Sequence, residues 1–241
     1  KEIEGNFTAG KIAATEIGYT FTGKQELLGA LLHTGNESNK RKLLVGRNWG
    51  ELVEGADKKR TLDTSRWDAF IRRAISEGTI TKSDYDFLQA TWDLMESIKP
   101  DAQKAHYKLY GYYFDEITAT AIETPFGSYR GGYAPAKADS DLVLEADIRQ
   151  DINQLENDFN YMMPSTGNGF TQGRVEYNKP LVMDLRLVAQ HLDQVLRFTY
   201  IQPAINDVLK IVKRGEFVNT LNAVDKGALK SMIMPWLQRV A

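Results

Sequence analysis

Between Thr64 and Leu109 the apolar residues recur at the spacing of a helix face, in two runs parted by a glycine. Trp67, Phe70, Ile71, Ala74 and Ile75 stand at i, i+3, i+4, i+7 and i+8, and Leu88, Trp92, Met95 and Ile98 continue the stripe. A strand alternates faces every two residues, so this spacing commits the whole stretch to amphipathic helix. Thr64 or Ser65 is a suitable N-cap for the first run, and Gly78 stops it. Thr81-Lys82-Ser83-Asp84 reads as a capping box, with Asp84 where Glu is usual. Pro100 either kinks the second helix or opens a new turn, because it has no N–H to donate.

Shorter helices flank this stretch. Leu27, Leu28, Leu31 and Leu32 form one face, and Gly35-Asn36 stops that helix, both residues tolerating the left-handed conformation. Asn36 then caps a short helix through Leu43 and Leu44, closed by Gly46. In the last third, Leu185, Val188, Leu192, Val195, Leu196 and Thr199 share a face. Pro203 opens another helix that Gly215 ends, and residues 217–224 and 228–240 read as two more. The first twenty residues and residues 47–63 read as extended or irregular, and 160–181 as loop. The β-branched run from Ile117 to Thr124, the turn Pro125-Phe126-Gly127 and the extended Ser128-Tyr129-Arg130 predict one β-hairpin within 117–135. The expected fold is mainly α, a multi-helix domain with one small hairpin. It is arranged as two lobes, 1–140 and 141–241, or as one continuous domain.

Composition narrows the chemistry. The chain has 241 residues, of which 42% are hydrophobic and 26% charged, so it can bury a core and is not of disordered composition. It has no cysteine, which excludes disulfide scaffolds, thiol nucleophiles and thiolate metal sites. No window approaches the ~20 unbroken apolar residues that span a bilayer. The net charge of −2 conceals two opposed segments. Residues 40–73 carry ten bases against five acids, and residues 139–158 seven acids against one base. The bases Lys40, Arg41, Lys42, Arg47, Lys58, Lys59 and Arg60, with Trp49 and Trp67 interleaved, have the composition of a nucleic-acid surface. A solvated helix face, or a partner for the acidic segment, accounts for them as well.

Among local motifs, Gly18-Tyr-Thr-Phe-Thr-Gly23-Lys24-Gln25 fits the phosphate-loop pattern G-x-x-x-x-G-K. Such a loop turns backbone N–H groups toward phosphate and reaches the terminal phosphates with its lysine. Against that reading, Gln25 stands where a magnesium-binding hydroxyl is needed, and no strongly apolar strand precedes the loop. Thr166-Gly167-Asn168-Gly169 reads as a surface turn. His33, His106 and His191 each lack a second histidine at helical ligand spacing, so no metal and no cofactor are expected. Asp115-Glu116 follow Tyr112-Tyr113-Phe114. A carboxylate beside aromatics can act as an acid, whereas a solvated turn is the plainer reading.

Three stretches together have a familiar pattern. They are Leu31-Leu-His-Thr-Gly-Asn-Glu-Ser-Asn39 with Lys42-Leu-Leu-Val-Gly46, then Thr124-Pro-Phe-Gly-Ser-Tyr-Arg-Gly-Gly-Tyr-Ala-Pro135, then Arg174-Val-Glu-Tyr-Asn-Lys-Pro-Leu181 running into Asp184-Leu-Arg-Leu-Val-Ala-Gln-His191. Over most of its length the chain resembles a region of the large polyvalent, multi-domain proteins of tailed bacteriophages and prophages. The resemblance implies a setting, a module of a virion-associated protein that is delivered into the host cytoplasm, and carries no catalytic residue with it. A chain that opens at Lys1 fits a piece of such a protein.

The functional expectation is a non-catalytic scaffold or interaction module, with neighbouring domains of the parent protein or copies of itself as partners. Nucleic acid bound by the basic segment is the alternative. A second alternative is an enzyme built on a polar cluster of His33, Asn36, Asn39, Arg130 and His191. The plainer reading of that cluster is a buried hydrogen-bond network that holds the hairpin to the first helices, since buried polar groups need partners in any case.

Overall fold

The computed structural model describes residues 10–54, 60–139 and 180–224, with Ser231 and Pro235. Helices dominate it. In chain order they are α1 (Lys24–Leu32), α2 (Glu37–Gly46), α3 (Ser65–Ser76), α4 (Lys82–Tyr110), α5 (Arg186–Leu196), α6 (Gln202–Val212) and α7 (Gly215–Val224). A π-helical turn, Arg197–Ile201, joins α5 to α6. The predicted capping box is present at Thr81 and Asp84, and α4 runs on through Pro100 to Gly111, whose positive φ of 82° ends it. Gly215 starts α7 rather than serving only to end α6.

Where the sequence predicts a single hairpin, the described residues hold three. Strands β1 (Ile12–Ala14) and β2 (Tyr19–Phe21) pair in a stretch that reads as extended or loop with no hairpin placed in it, and β3 (Glu51–Glu54) and β4 (Arg60–Asp63) in one that reads as irregular. Only β5 (Ile122–Thr124) and β6 (Gly127–Tyr129) lie where the sequence places a hairpin. All three are two-stranded and antiparallel. Three- and four-residue strands are too short to display an alternation, and β3–β4 is polar on most positions, with Leu52 opposite Leu62.

Two cores share α4. The first gathers Phe21, α1, α2 and α3 around Tyr85, Leu88 and Trp92 of α4. Inside it Trp49 and Trp67 stack at 5.5 Å between centroids, and Phe21 stacks on Phe70 at 5.7 Å. The second packs Met95, Ile98 and Ala102, further along α4, against Phe114, Tyr133 and Val195. Leu181 and Met183, from the far half of the sequence, are buried in the first core, so the cores do not divide at residue 140.

Glycine explains the tight junction between α1, α2 and α4. A Cβ on Gly35 would lie 2.4 Å from the Trp92 ring, and one on Gly132 would lie 2.6 Å from Trp92 Cβ. The Gly35 carbonyl accepts the N–H groups of both Thr120 (2.9 Å) and Gly132 (2.8 Å). Gly35 is therefore required for close approach, whereas Gly131, at φ 72°, is required for its backbone as well.

Candidate functional site

The residues between α1 and α2 form a buried polar knot. Asn36 caps α2 by accepting the Asn39 N–H at 2.9 Å, and its side-chain amide donates to the Gly132 carbonyl at 3.2 Å. Asn39 donates to the Ala134 carbonyl at 2.8 Å. Thr34 donates back to Leu31, and the Trp92 indole N–H to Leu32 at 3.1 Å. Both asparagines thus spend their amides on residues 132–134 and have no exposed surface to offer a ligand. His33 is also buried, and its Nε2 lies 3.0 Å from the Val182 carbonyl. A carbonyl only accepts, so Nε2 carries the proton and Nδ1 is the bare nitrogen. Burial, the largest cause, with Arg47 and Lys42 nearby, pushes its pKa down to about 4.

Arg130 does not join this knot. Its side chain is 78% exposed and pairs with Asp93 at 2.7 Å, while its backbone N–H goes to Gln89. His191 is buried on α5, with its ring 5.5 Å from that of Tyr133, and burial pushes its pKa down to about 4. His106, the third histidine, donates from Nδ1 to the Tyr112 carbonyl at 2.7 Å, inside a cage of Tyr110, Tyr112, Phe114 and Phe198.

The phosphate-loop reading of Gly18–Lys24 fails on its lysine. Lys24 is 8% exposed and pairs with Asp84, itself 6% exposed, at 2.6 Å; it also donates to the Thr79 carbonyl. The same Asp84 oxygen accepts the Thr81 N–H and hydroxyl of the capping box. The charge that would meet phosphate instead ties the start of α1 to the start of α4.

The basic segment is likewise partly consumed. The Arg47 side chain donates from Nη2 to Asp139 at 2.8 Å and to the Leu181 carbonyl at 2.7 Å, and lies over the rings of Tyr19 and Trp49. Lys42 is buried on α2. Arg66 bridges the carbonyls of Glu16 and Asn48, and Arg73 pairs with Glu16 at 2.6 Å. Trp49 and Trp67 are core residues and cannot stack on bases. Lys40 is half-buried, and Arg41 and Arg60 are exposed. Lys58 and Lys59, the Thr166–Gly169 turn and all of the acidic segment except Asp139 lie outside the described residues.

A groove of about 650 Å³ lies beside α4, lined by Glu96, Lys99, Pro100 and Gln103 together with residues 113–116. The Gln103 side chain behaves like a strand partner for Phe114. It accepts the Phe114 N–H at 2.9 Å and donates to the Phe114 carbonyl at 2.8 Å. Lys99 is buried between Glu96, on which it donates, and Glu116, 3.6 Å away. Asp115 is exposed, and the exposed Tyr113 ring stacks on Tyr107 at 4.7 Å. Three carboxylates against one enclosed ammonium leave this wall electronegative, with an aromatic face at its edge. The sequence signal was the Asp115-Glu116 pair after the aromatic run; Glu96, Lys99 and Gln103 enter only through the helix that carries them.

Among the described residues, no three His, Asp or Glu side chains converge as a metal site, and no helix is long and apolar enough to cross a membrane. No family model, curated protein or solved structure matches the chain.

Proposed function

We propose that the chain is a non-catalytic interaction module of a large, multi-domain phage protein, and that the α4 groove docks an arginine-bearing segment of a neighbouring module. The phage setting rests on the sequence resemblance alone. The docking reading rests on one observation. The histidine, asparagine and lysine side chains that sequence motifs single out at Lys24, His33, Asn36 and Asn39 are committed to internal bonds, whereas the groove keeps carboxylates and a tyrosine face open. A guanidinium suits such a wall, because it pairs with carboxylates through its planar fork and stacks on aromatic faces.

Fluorescence anisotropy with a labelled arginine-rich peptide tests this, with a lysine-free acidic peptide as control. Tyr113→Ala and Asp115→Asn should each weaken binding by about fivefold, the equivalent of ~1 kcal/mol. Added salt should weaken it further. Binding that ignores both substitutions overturns the groove as the docking surface. Turnover of any substrate that disappears on changing a groove residue overturns the non-catalytic reading. Self-association seen by light scattering would assign the arginine-bearing segment to a second copy in place of a neighbouring module.

A further inference from the structure

Residues 180–183 belong to no helix, yet Leu181 and Met183 are 1% and 5% exposed, and the segment leads directly into α5. It lies as a strap against the first core. On one side it pairs with residues 137–139: the Asp139 N–H donates to the Pro180 carbonyl at 2.8 Å, and the Val182 N–H to the Lys137 carbonyl at 2.9 Å. On the other side two α1–α2 side chains hold its carbonyls. Arg47 takes Leu181, and His33 takes Val182. Gly29 of α1 leaves room for it, since a Cβ there would lie 2.3 Å from the Met183 carbonyl.

We propose that His33 is an acid-sensitive latch on this strap, and that protonation of its ring releases residues 180–183, and with them the root of α5, from α1 and α2. The geometry carries the case. The bond to Val182 fixes the proton on Nε2, so a second proton must go to Nδ1, which is buried and has no hydrogen-bond partner. The charged side chains that act on the ring are both cations, Arg47 at the C-cap of α2 and Lys42 within it. The two carboxylates that flank the strap among the described residues are engaged elsewhere, Asp139 by Arg47 and Asp184 by Arg186. Among the described residues no carboxylate acts on the ring, so a buried imidazolium would form unpaired, and opening the strap to water is the relief available.

Linkage sets the size of the effect. A ring that titrates near 6.5 when open and about 4 when closed favours opening as pH falls. The open population should rise about tenfold per pH unit below 6.5, to about 150-fold at pH 4. Native-state amide exchange at Val182 and Asp139, corrected for intrinsic rates, measures it. The wild type should lose protection along this slope. His33→Gln should not, because its amide can still donate to Val182 and cannot take up the proton. His191→Gln should leave the slope unchanged. Protection independent of pH in the wild type, or the same slope in His33→Gln, overturns the latch. Should His33→Gln fail to fold, the ring nitrogens of the wild type, followed by NMR, decide. A folded-state titration near 6.5 overturns the proposal, and one near 4 supports it.

Discussion

At the scale of single residues, the most consequential side chain is Lys24. Its pairing with Asp84 is buried, and the partner carboxylate also closes the α4 capping box. Removing one member of a buried pair leaves the other charged and uncompensated. Lys24→Met should destabilise the protein by about 3 kcal/mol in urea unfolding, and the double change Lys24→Met with Asp84→Leu should recover part of that loss. No change in nucleotide binding should accompany either. The sequence shows both ends of this pair without showing that they meet. Lys24 follows two glycines at phosphate-loop spacing, Asp84 sits in a capping box, and the two stand sixty positions apart. Local pattern cannot register a contact of that separation. Arg47 was misleading for the same reason: a base in a basic run reads as surface until the Leu181 carbonyl and Asp139, from the far half of the chain, close over it.

At the scale of elements, helices were legible and short strands were not. Each helix repeats its apolar spacing several times, whereas β1, β2, β5 and β6 have three residues apiece, less than two full alternations. Glycines were legible as necessary but not always for the right reason. Gly35 reads as a left-handed stop, yet what demands it is the Trp92 indole of α4 pressed against its Cα. That difference is measurable. Gly35→Ala forces a Cβ to 2.4 Å from an indole with no room to retreat, and should cost about 3 kcal/mol or more, in the range of overpacked cores. Gly78→Ala, at φ 71° with open space around the missing Cβ, meets backbone strain only and should cost about 1 kcal/mol. Equal losses in the two variants, by thermal or urea unfolding, would contradict the packing account of the α1–α2–α4 junction.

At the scale of the whole molecule, α4 is the common wall of both cores, and the buried histidines set how that assembly answers to acid. His33 and His191 are neutral in the folded protein down to about pH 4. Above about pH 6.5 neither state takes up a proton, so the histidines leave stability unchanged there. Below it only the unfolded chain binds protons, and stability falls as pH falls toward 4, by about 1.4 kcal/mol per pH unit for each histidine. Urea unfolding between pH 7 and pH 5 should show this decline, and His33→Gln should halve its slope. A free energy of unfolding that stays flat over that range would mean that the rings are hydrated in the fold. The candidate site shows the limit of sequence reading at this scale. In the sequence Asp115 and Glu116 read most plainly as a solvated turn; the groove forms where Gln103 pairs with Phe114 and holds the chain along α4.

The pairing of residues 137–139 with 180–182 has a consequence for how the protein can change over time. Asp139 and Pro180 are joined by a hydrogen bond of 2.8 Å, so two points far apart in the sequence stand side by side. Closing a flexible loop costs only about 0.6 kcal/mol more for each doubling of its length. A flexible linker joining these two points is therefore tolerant of its own length. Asp139 and Pro180 are a natural seam for a graft: a foreign segment spliced between them would inherit a ready-made anchor.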